Sequence, residues 1–205
     1  MVTTLLCCTV LGASPATEPP WEAIVEEEDG IRVWRRDVAG SPAPEFRAEM
    51  IVNQPADRVW RVVSTVEEYG DFMPYILEIR VVDQEGTDTK YVYFRLDPPL
   101  VDQRDYTMKT TFTPQPDKGM WLRTWTLAND RGPPVPEDVV RLELNDGSWR
   151  LEKLGSRSTL VTYWVHTHPG GSIPDWIAKK ANNTSIPNVM RAVRARAKDP
   201  TWKPD

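Results

Sequence analysis

Residues 103–110 read QRDYTMKT, an Arg104–Asp105 doublet followed by Tyr106 and Met108 alternating with Thr107 and Lys109. A period of two is the mark of a strand with one apolar face. If Tyr106 faces inward, Arg104, Met108, Thr110 and Phe112 go with it, and Asp105, Thr107 and Lys109 face away. The outward set is polar throughout, which supports that parity. Two readings of the inward face stay open here: packed core, or the wall of a cavity.

The flanking sequence repeats the pattern. Tyr91–Leu96 precedes the stretch, and Met120–Leu127, Val139–Leu144, Ser148–Leu154 and Thr159–His166 follow it, separated by Gly, Pro, Asp or Asn turn chemistry. With no helices between them, these strands predict a long antiparallel meander rather than βαβ units. Upstream, Trp21–Glu28 is expected as a short helix, Ile31–Arg36 and Phe46–Val52 as strands. A helix opening at Asn53-Gln54-Pro55 follows, with Asn53 as N-cap and a stripe of Val59, Val62, Val63 and Val66. The strand Ile76–Val82 comes next. Asn129–Pro136 is a proline-rich loop and a candidate lid. A final helix spans about Pro174 to Ala197, with a kink or break expected at Pro187. Two strands, a helix, a long sheet and a covering helix make an α+β pattern.

Composition narrows the function. The 205 residues fit one domain; 40% are hydrophobic and 27% charged, as in a globular protein. A net charge of −5 lacks the basic footprint of a nucleic-acid binder. Nine tryptophans can fill a core or line a pocket. The run Leu5–Ala13, followed by Ser14-Pro15-Ala16, reads as a leader over residues 1–16 that lacks a basic start; residues 17–199 form the domain and 200–205 a tail. Both cysteines, Cys7 and Cys8, fall in that leader. A periplasmic, envelope-associated or secreted location is expected, with a cytoplasmic one as the alternative.

Four ordered segments resemble the START lipid-transfer domain, over about Trp21 to Lys198. They are Pro55–Trp60 with Tyr69 and Met73-Pro74; Arg104-Asp105-Tyr106; Val139–Leu142 leading to Gly147–Leu151; and Pro169–Ile177 with Asn183 and Pro187-Asn188. The resemblance implies a bacterial member with a helix-grip (START/SRPBCC) fold: a curved antiparallel sheet wrapped on the long C-terminal helix, enclosing a hydrophobic cavity. It implies a monomer that binds one lipid or sterol-like molecule without catalysis or cofactor, through transient contact with a membrane surface. The final helix and a mouth loop, here Asn129–Pro136, would move to admit the ligand. The alternative is a cyclase-like enzyme of the same superfamily.

In phosphatidylcholine-carrying members an aromatic cage holds the headgroup. Tyr106 and Tyr93 fall at two of its positions, but the third falls near Asn145 and the phosphate-binding arginine near Gly70. Steroid-type members carry a buried acid–arginine pair, whose places here hold Tyr91 and Thr110. Which lipid is bound is left open. The candidate ligand-binding set is Tyr93, Arg95, Arg104, Tyr106, Met108, Thr110, Trp125, Asn145, Tyr163, Ile177, Ala181 and Thr184. Arg95 and Arg104 match phosphate or carboxylate geometry, with a structural ion pair as the competing role for Arg104. If Tyr93 is inward, Val92, Phe94 and Leu96 must find cover on the other side.

His166 and His168 share a face at a strand end, but nothing nearby completes a metal site. No nucleophile motif accompanies them. Glu26–Asp29 reads as a solvated acidic turn. The basic face of Arg191, Arg194, Arg196 and Lys198 either meets an anionic membrane or complements the helix end.

Overall fold

The computed structural model describes residues 19–171 and 175–203, the side chains of 175–183 apart. Its strands are β1 (Glu22–Glu28), β2 (Ile31–Arg36), β3 (Glu45–Val52), β4 (Ile76–Glu85), β5 (Thr89–Leu96), β6 (Gln103–Gln115), β7 (Met120–Leu127), β8 (Val139–Arg141), β9 (Leu144–Gly155) and β10 (Ser158–His168). The helices are α1 (Ala56–Ser64), the single turn α2 (Tyr69–Phe72) and α3 (Asp175–Lys198). Nine strands form one antiparallel sheet in the order β1-β2-β3-β10-β9-β7-β6-β5-β4, and β8 pairs in parallel with β6. The crossover from β3 to the far edge carries α1 and α2. This is the expected helix-grip architecture.

The segment expected as an N-terminal helix is a strand instead. Asp29 and Gly30 hold φ of 55° and 70°, the left-handed pair of a primed hairpin turn, and they fold β1 back on β2. That Asp-Gly pair outweighs the helix propensity of the glutamates. The helix α1 starts at Ala56 without the Asn53 cap: Pro55 holds the cap position and no side chain bonds the first turn. Its stripe of Val59, Val62 and Val63 is buried as the spacing predicts, and Val66 follows them.

The break expected at Pro187 does not occur, and α3 continues through it. Packing holds the segment: Ile186, Met190, Val193 and Ala197, on one helical stripe, are buried against the sheet and α1. Arg58 of α1 caps the end, with Nε donating to the Ala197 carbonyl (2.6 Å) and Nη2 to those of Asp199 (2.6 Å) and Trp202 (3.2 Å). Three cations of the basic face of α3 are engaged within the molecule, while Lys198 is exposed. Arg191 pairs with Glu28 and Asp29, Arg194 donates to the Asp29 carbonyl, and Arg196 pairs with Glu68. Glu28 and Asp29 are therefore anchors rather than a purely solvated turn.

The outer face of β6 is covered as well. Asp105 and Thr107 point away from the concave side, as expected, yet both are fully buried. The segment after β7 folds over them. Asn129 accepts the Thr107 N–H (2.9 Å) and donates to the Leu142 carbonyl (2.8 Å). Gly132 lies so close that an added Cβ would stand 1.9 Å from the Thr107 hydroxyl. Arg131 bonds Asp83 (2.6 Å), so this loop, expected as a lid, is pinned to the sheet's outside. Arg141 grips Asp105 with two bonds (2.6 and 3.0 Å), and Tyr93 donates a third to it (3.2 Å).

Removing one partner of a buried pair strands the other's charge. Asp105→Ala should therefore cost about 3 kcal/mol in urea unfolding at an unchanged m-value. Adding Arg141→Met should cost little more, because the stranded charge is gone.

Candidate ligand cavity

Between the concave sheet face and α3 lies a cavity of about 940 Å³, at the upper end of the usual size for small-molecule sites. Strand alternation builds its wall. Phe94 and Leu96 come from β5, Arg104, Tyr106 and Met108 from β6, and Arg123 and Trp125 from β7. Asn145 and Trp149 of β9 and Tyr163, Val165 and Thr167 of β10 complete the sheet side; Ile186 and Val189 face them from α3. The aromatics brace one another. Phe94 stacks on Tyr106 with centroids 5.2 Å apart, and Tyr163 lies against Trp149 (4.5 Å) and Trp125 (5.9 Å). The Trp125 ring needs Gly147, where a Cβ would sit 2.1 Å from it.

The closed end is polar. Arg123 is 1% exposed. Its Nε donates to Thr110 Oγ1 (2.8 Å), and Nη1 donates to the Val63 carbonyl (2.9 Å) and the Tyr69 hydroxyl (2.5 Å). Tyr69, Phe112 and Trp125 turn ring faces to the guanidinium. Asn145 accepts from Trp125 Nε1 (3.4 Å). Burial pushes the Tyr69 phenol up, against the opposing pull of Arg123. Tyr106 and Tyr163 are driven far above the ordinary phenol range, by burial first; in Tyr163 the other two phenols add to it. At neutral pH all three are neutral hydroxyls.

The mouth carries Pro42–Pro44, Pro98–Val101 and the turn at 168–171. Arg104, 4% exposed, donates to the Pro169 carbonyl (3.3 Å) and to that of Asp102. Burial lowers its pKa. His168 lies at the rim and accepts the Gly170 N–H (3.3 Å), while His166 meets Ser41 (2.8 Å) and the Ala43 carbonyl (3.1 Å). None of the described lining residues is Asp or Glu. The site can surround an apolar body and offer it a few hydrogen-bond donors. Its described lining holds no carboxylate to take or give a proton.

Of the sequence-predicted site, Arg104, Tyr106, Met108, Trp125, Asn145, Tyr163 and Thr184 line the cavity. Tyr93 and Arg95 do not. Phe94 is paired with Tyr106 and Tyr93 with Thr107, and paired residues share a face, so Tyr93 is outside under Arg80 (5.1 Å). Arg95 bonds Gln103 there (2.8 Å). The apolar Val92, Phe94 and Leu96 claim the inner side, which resolves their need for cover. Thr110 lies behind the Arg123 guanidinium rather than on the wall. The side chains of Ile177 and Ala181 lie outside the described residues.

Arg123, Tyr69, Phe94 and Trp149 were missed. For Arg123 a signal existed: Trp121, Arg123 and Trp125 alternate on β7, an arginine held between two buried rings. The charge that the resemblance places at 110 comes from the next strand.

Residues 52–194 match the family model described as polyketide cyclase / dehydrase and lipid transport. An uncharacterized protein of Pseudomonas aeruginosa is 28% identical over 196 residues, which span 95% of each chain. A crystal structure of a STAR-related lipid transfer protein fragment from Xanthomonas axonopodis superposes with a TM-score of 0.76 at 26% identity, covering 87% of this chain and 99% of that one. Human STARD10 superposes at 0.78 and 20% identity, over 89% and 75% of the two chains, a likeness of fold.

The three phenols give a spectroscopic test. Each folded pKa lies above its ordinary value of 10.0. Their contribution to stability is therefore complete below that value and lost as pH rises through the folded pKa values. In an alkaline absorbance titration Tyr69, Tyr106 and Tyr163, half of the six tyrosines, should stay protonated above the ordinary phenol range and ionise together with unfolding.

Proposed function

The chain belongs to the polyketide cyclase / dehydrase and lipid transport family, and from that premise we propose that it binds a single lipid-like molecule and carries it without chemical change. The observation that carries this reading is the lining: a hollow of about 940 Å³, walled by aromatic and aliphatic side chains, with no carboxylate among its described residues. A dry core would fill that volume. Burying an acyl chain contributes roughly 0.8 kcal/mol per methylene, on the order of 10 kcal/mol for a 16-carbon chain before ordering costs. Only an enclosed space captures such a gain.

The mouth supports transfer from an apolar phase. Leu100 is 70% exposed there, beside Pro98 and Pro99 and across from Tyr75. Leu100 and Tyr75 hold φ of 71° and 64°, left-handed backbone that is costly for side chains of this size. Strain kept at a pocket mouth fits a segment that changes conformation when cargo passes. Contact with a membrane would rest on this apolar rim, since Arg191, Arg194 and Arg196 of α3 are already paired within the fold. We place the carrier as a monomer with no nucleic-acid partner.

The enzyme reading draws on the first half of the family's description. A cyclase needs converging acid and base groups near neutral pH. This cavity offers phenols held above their ordinary range, guanidinium groups and a rim histidine. The carrier reading is therefore favoured.

Filling the cavity tests it. Met108→Trp should weaken uptake of an apolar fluorescent probe by about tenfold or more, a loss of roughly 1.4 kcal/mol, while leaving the unfolding midpoint within a few degrees. Mass spectrometry of solvent extracts from detergent-free protein should find one amphiphile in near-stoichiometric amount. Protein that neither retains nor takes up any apolar molecule would rule the carrier out.

A further inference from the structure

The closed end holds a charge with no counter-charge. Arg123 forms no ion pair among the described residues; its partners are a hydroxyl, a carbonyl, a phenol and ring faces. These satisfy Nε and both hydrogens of Nη1. Among the described residues Nη2 has no hydrogen-bond partner, although Arg123 is 1% exposed and lines the cavity. A second donor stands two strands away in the same register, since Trp149 pairs with Arg123 on one side and with Tyr163 on the other. Tyr163 lines the same end, packed between Trp125 and Trp149, and its hydroxyl has no hydrogen-bond partner among the described residues.

Buried cations are ordinarily paired, and the missing partner is costly. Elsewhere this chain obeys the rule: the fully buried Asp105 has Arg141. Inside the cavity the described charged groups are both arginines, Arg123 at the floor and Arg104 at the mouth. An anion brought by the ligand would supply the missing partner.

We propose that the cargo is a single-chain amphiphile ending in a carboxylate, bound head-inward, with one oxygen on Arg123 Nη2 and the other accepting from the Tyr163 hydroxyl. This rests on the hydrophobic-carrier reading and specifies its ligand class. Two free donors suit the two oxygens of a carboxylate, whereas a phosphate would bring three and leave one bare among rings. The wall sets the length. From Thr110, level with the guanidinium, to Arg104 at the mouth, β6 rises for six residues, roughly 20 Å. Met108, Tyr106 and Phe94 make that stretch apolar, matching an aliphatic tail whose end reaches the rim.

The test is displacement of an apolar fluorescent probe by four ligands of one chain length: palmitic acid, hexadecanol, methyl palmitate and hexadecyl phosphate. Wild-type protein should favour the acid over the alcohol and the ester by about tenfold or more, as expected for a charge-assisted bond in a dry site. Arg123→Met should abolish that preference while alcohol binding persists. Because Arg123 also braces α1, Tyr163→Phe serves as the second variant. It keeps the ring and should weaken acid binding several-fold, with the alcohol unchanged. Equal affinity for acid and alcohol in the wild type overturns the carboxylate but leaves the carrier standing. Tighter binding of the phosphate overturns the assignment in favour of a phosphate head. No displacement by any of the four, with the probe itself excluded, overturns the carrier reading and this inference together.

Discussion

Arg58 of α1 donates hydrogen bonds to the carbonyls of Ala197, Asp199 and Trp202, and the cavity depends on that cap. The last carbonyls of a helix have no partners of their own, and a guanidinium both satisfies them and complements the dipole. Trp202 closes over the site, its ring beneath Arg58 and Arg196 and its Nε1 on Glu68 (2.7 Å). With that end fixed, Met190, Val193 and Ala197 pack without exposure. Nearer the middle of the helix Val189 and Thr184 face open space instead. The ties over Ile186–Ala197 leave room above the sheet for a guest.

Arg123 makes the second tie, from the inside. It joins β7 to the end of α1 through the Val63 carbonyl and to α2 through Tyr69, whose hydroxyl donates to that same carbonyl (2.8 Å). One side chain thus closes the floor and leaves a donor facing inward. Structure and recognition are not separable here, because the bonds that orient the guanidinium also fix where its free edge points.

The strand pattern around Arg104-Asp105-Tyr106 was legible because one face of β6 alternates cleanly. What it could not reveal was that its polar outer face is also buried. Asp105 and Thr107 are covered by a segment more than twenty residues downstream, a long-range contact that no local period encodes. The inversion of β5 has a related cause. Val92, Phe94 and Leu96 alternate as regularly as Tyr91, Tyr93 and Arg95, so parity needed the pairing of Phe94 with Tyr106. In the first hairpin the information was present, in Asp29-Gly30, but helix propensity masked it. Family position pointed to 110 for a buried cation, and Thr110 is uncharged; the charge arrives from the adjoining strand, where only the tryptophans around Arg123 hinted at an inward face.

The two faces of β6 treat charge in opposite ways. On the outer face the charge of Asp105 is matched: Arg141 binds both of its oxygens, and Tyr93 adds a third bond. On the inner face Arg123 keeps a nitrogen, and Tyr163 a hydroxyl, without a partner among the described residues. The outer pair is sealed beneath the segment after β7, whereas the inner groups face the cavity. A sequence selected for stability alone would pair the inner cation with an acid, or replace it with a hydrophobic residue of similar volume. Retaining an unmatched cation at the end of an apolar channel is the arrangement expected when its counter-ion is the molecule the channel was shaped to hold.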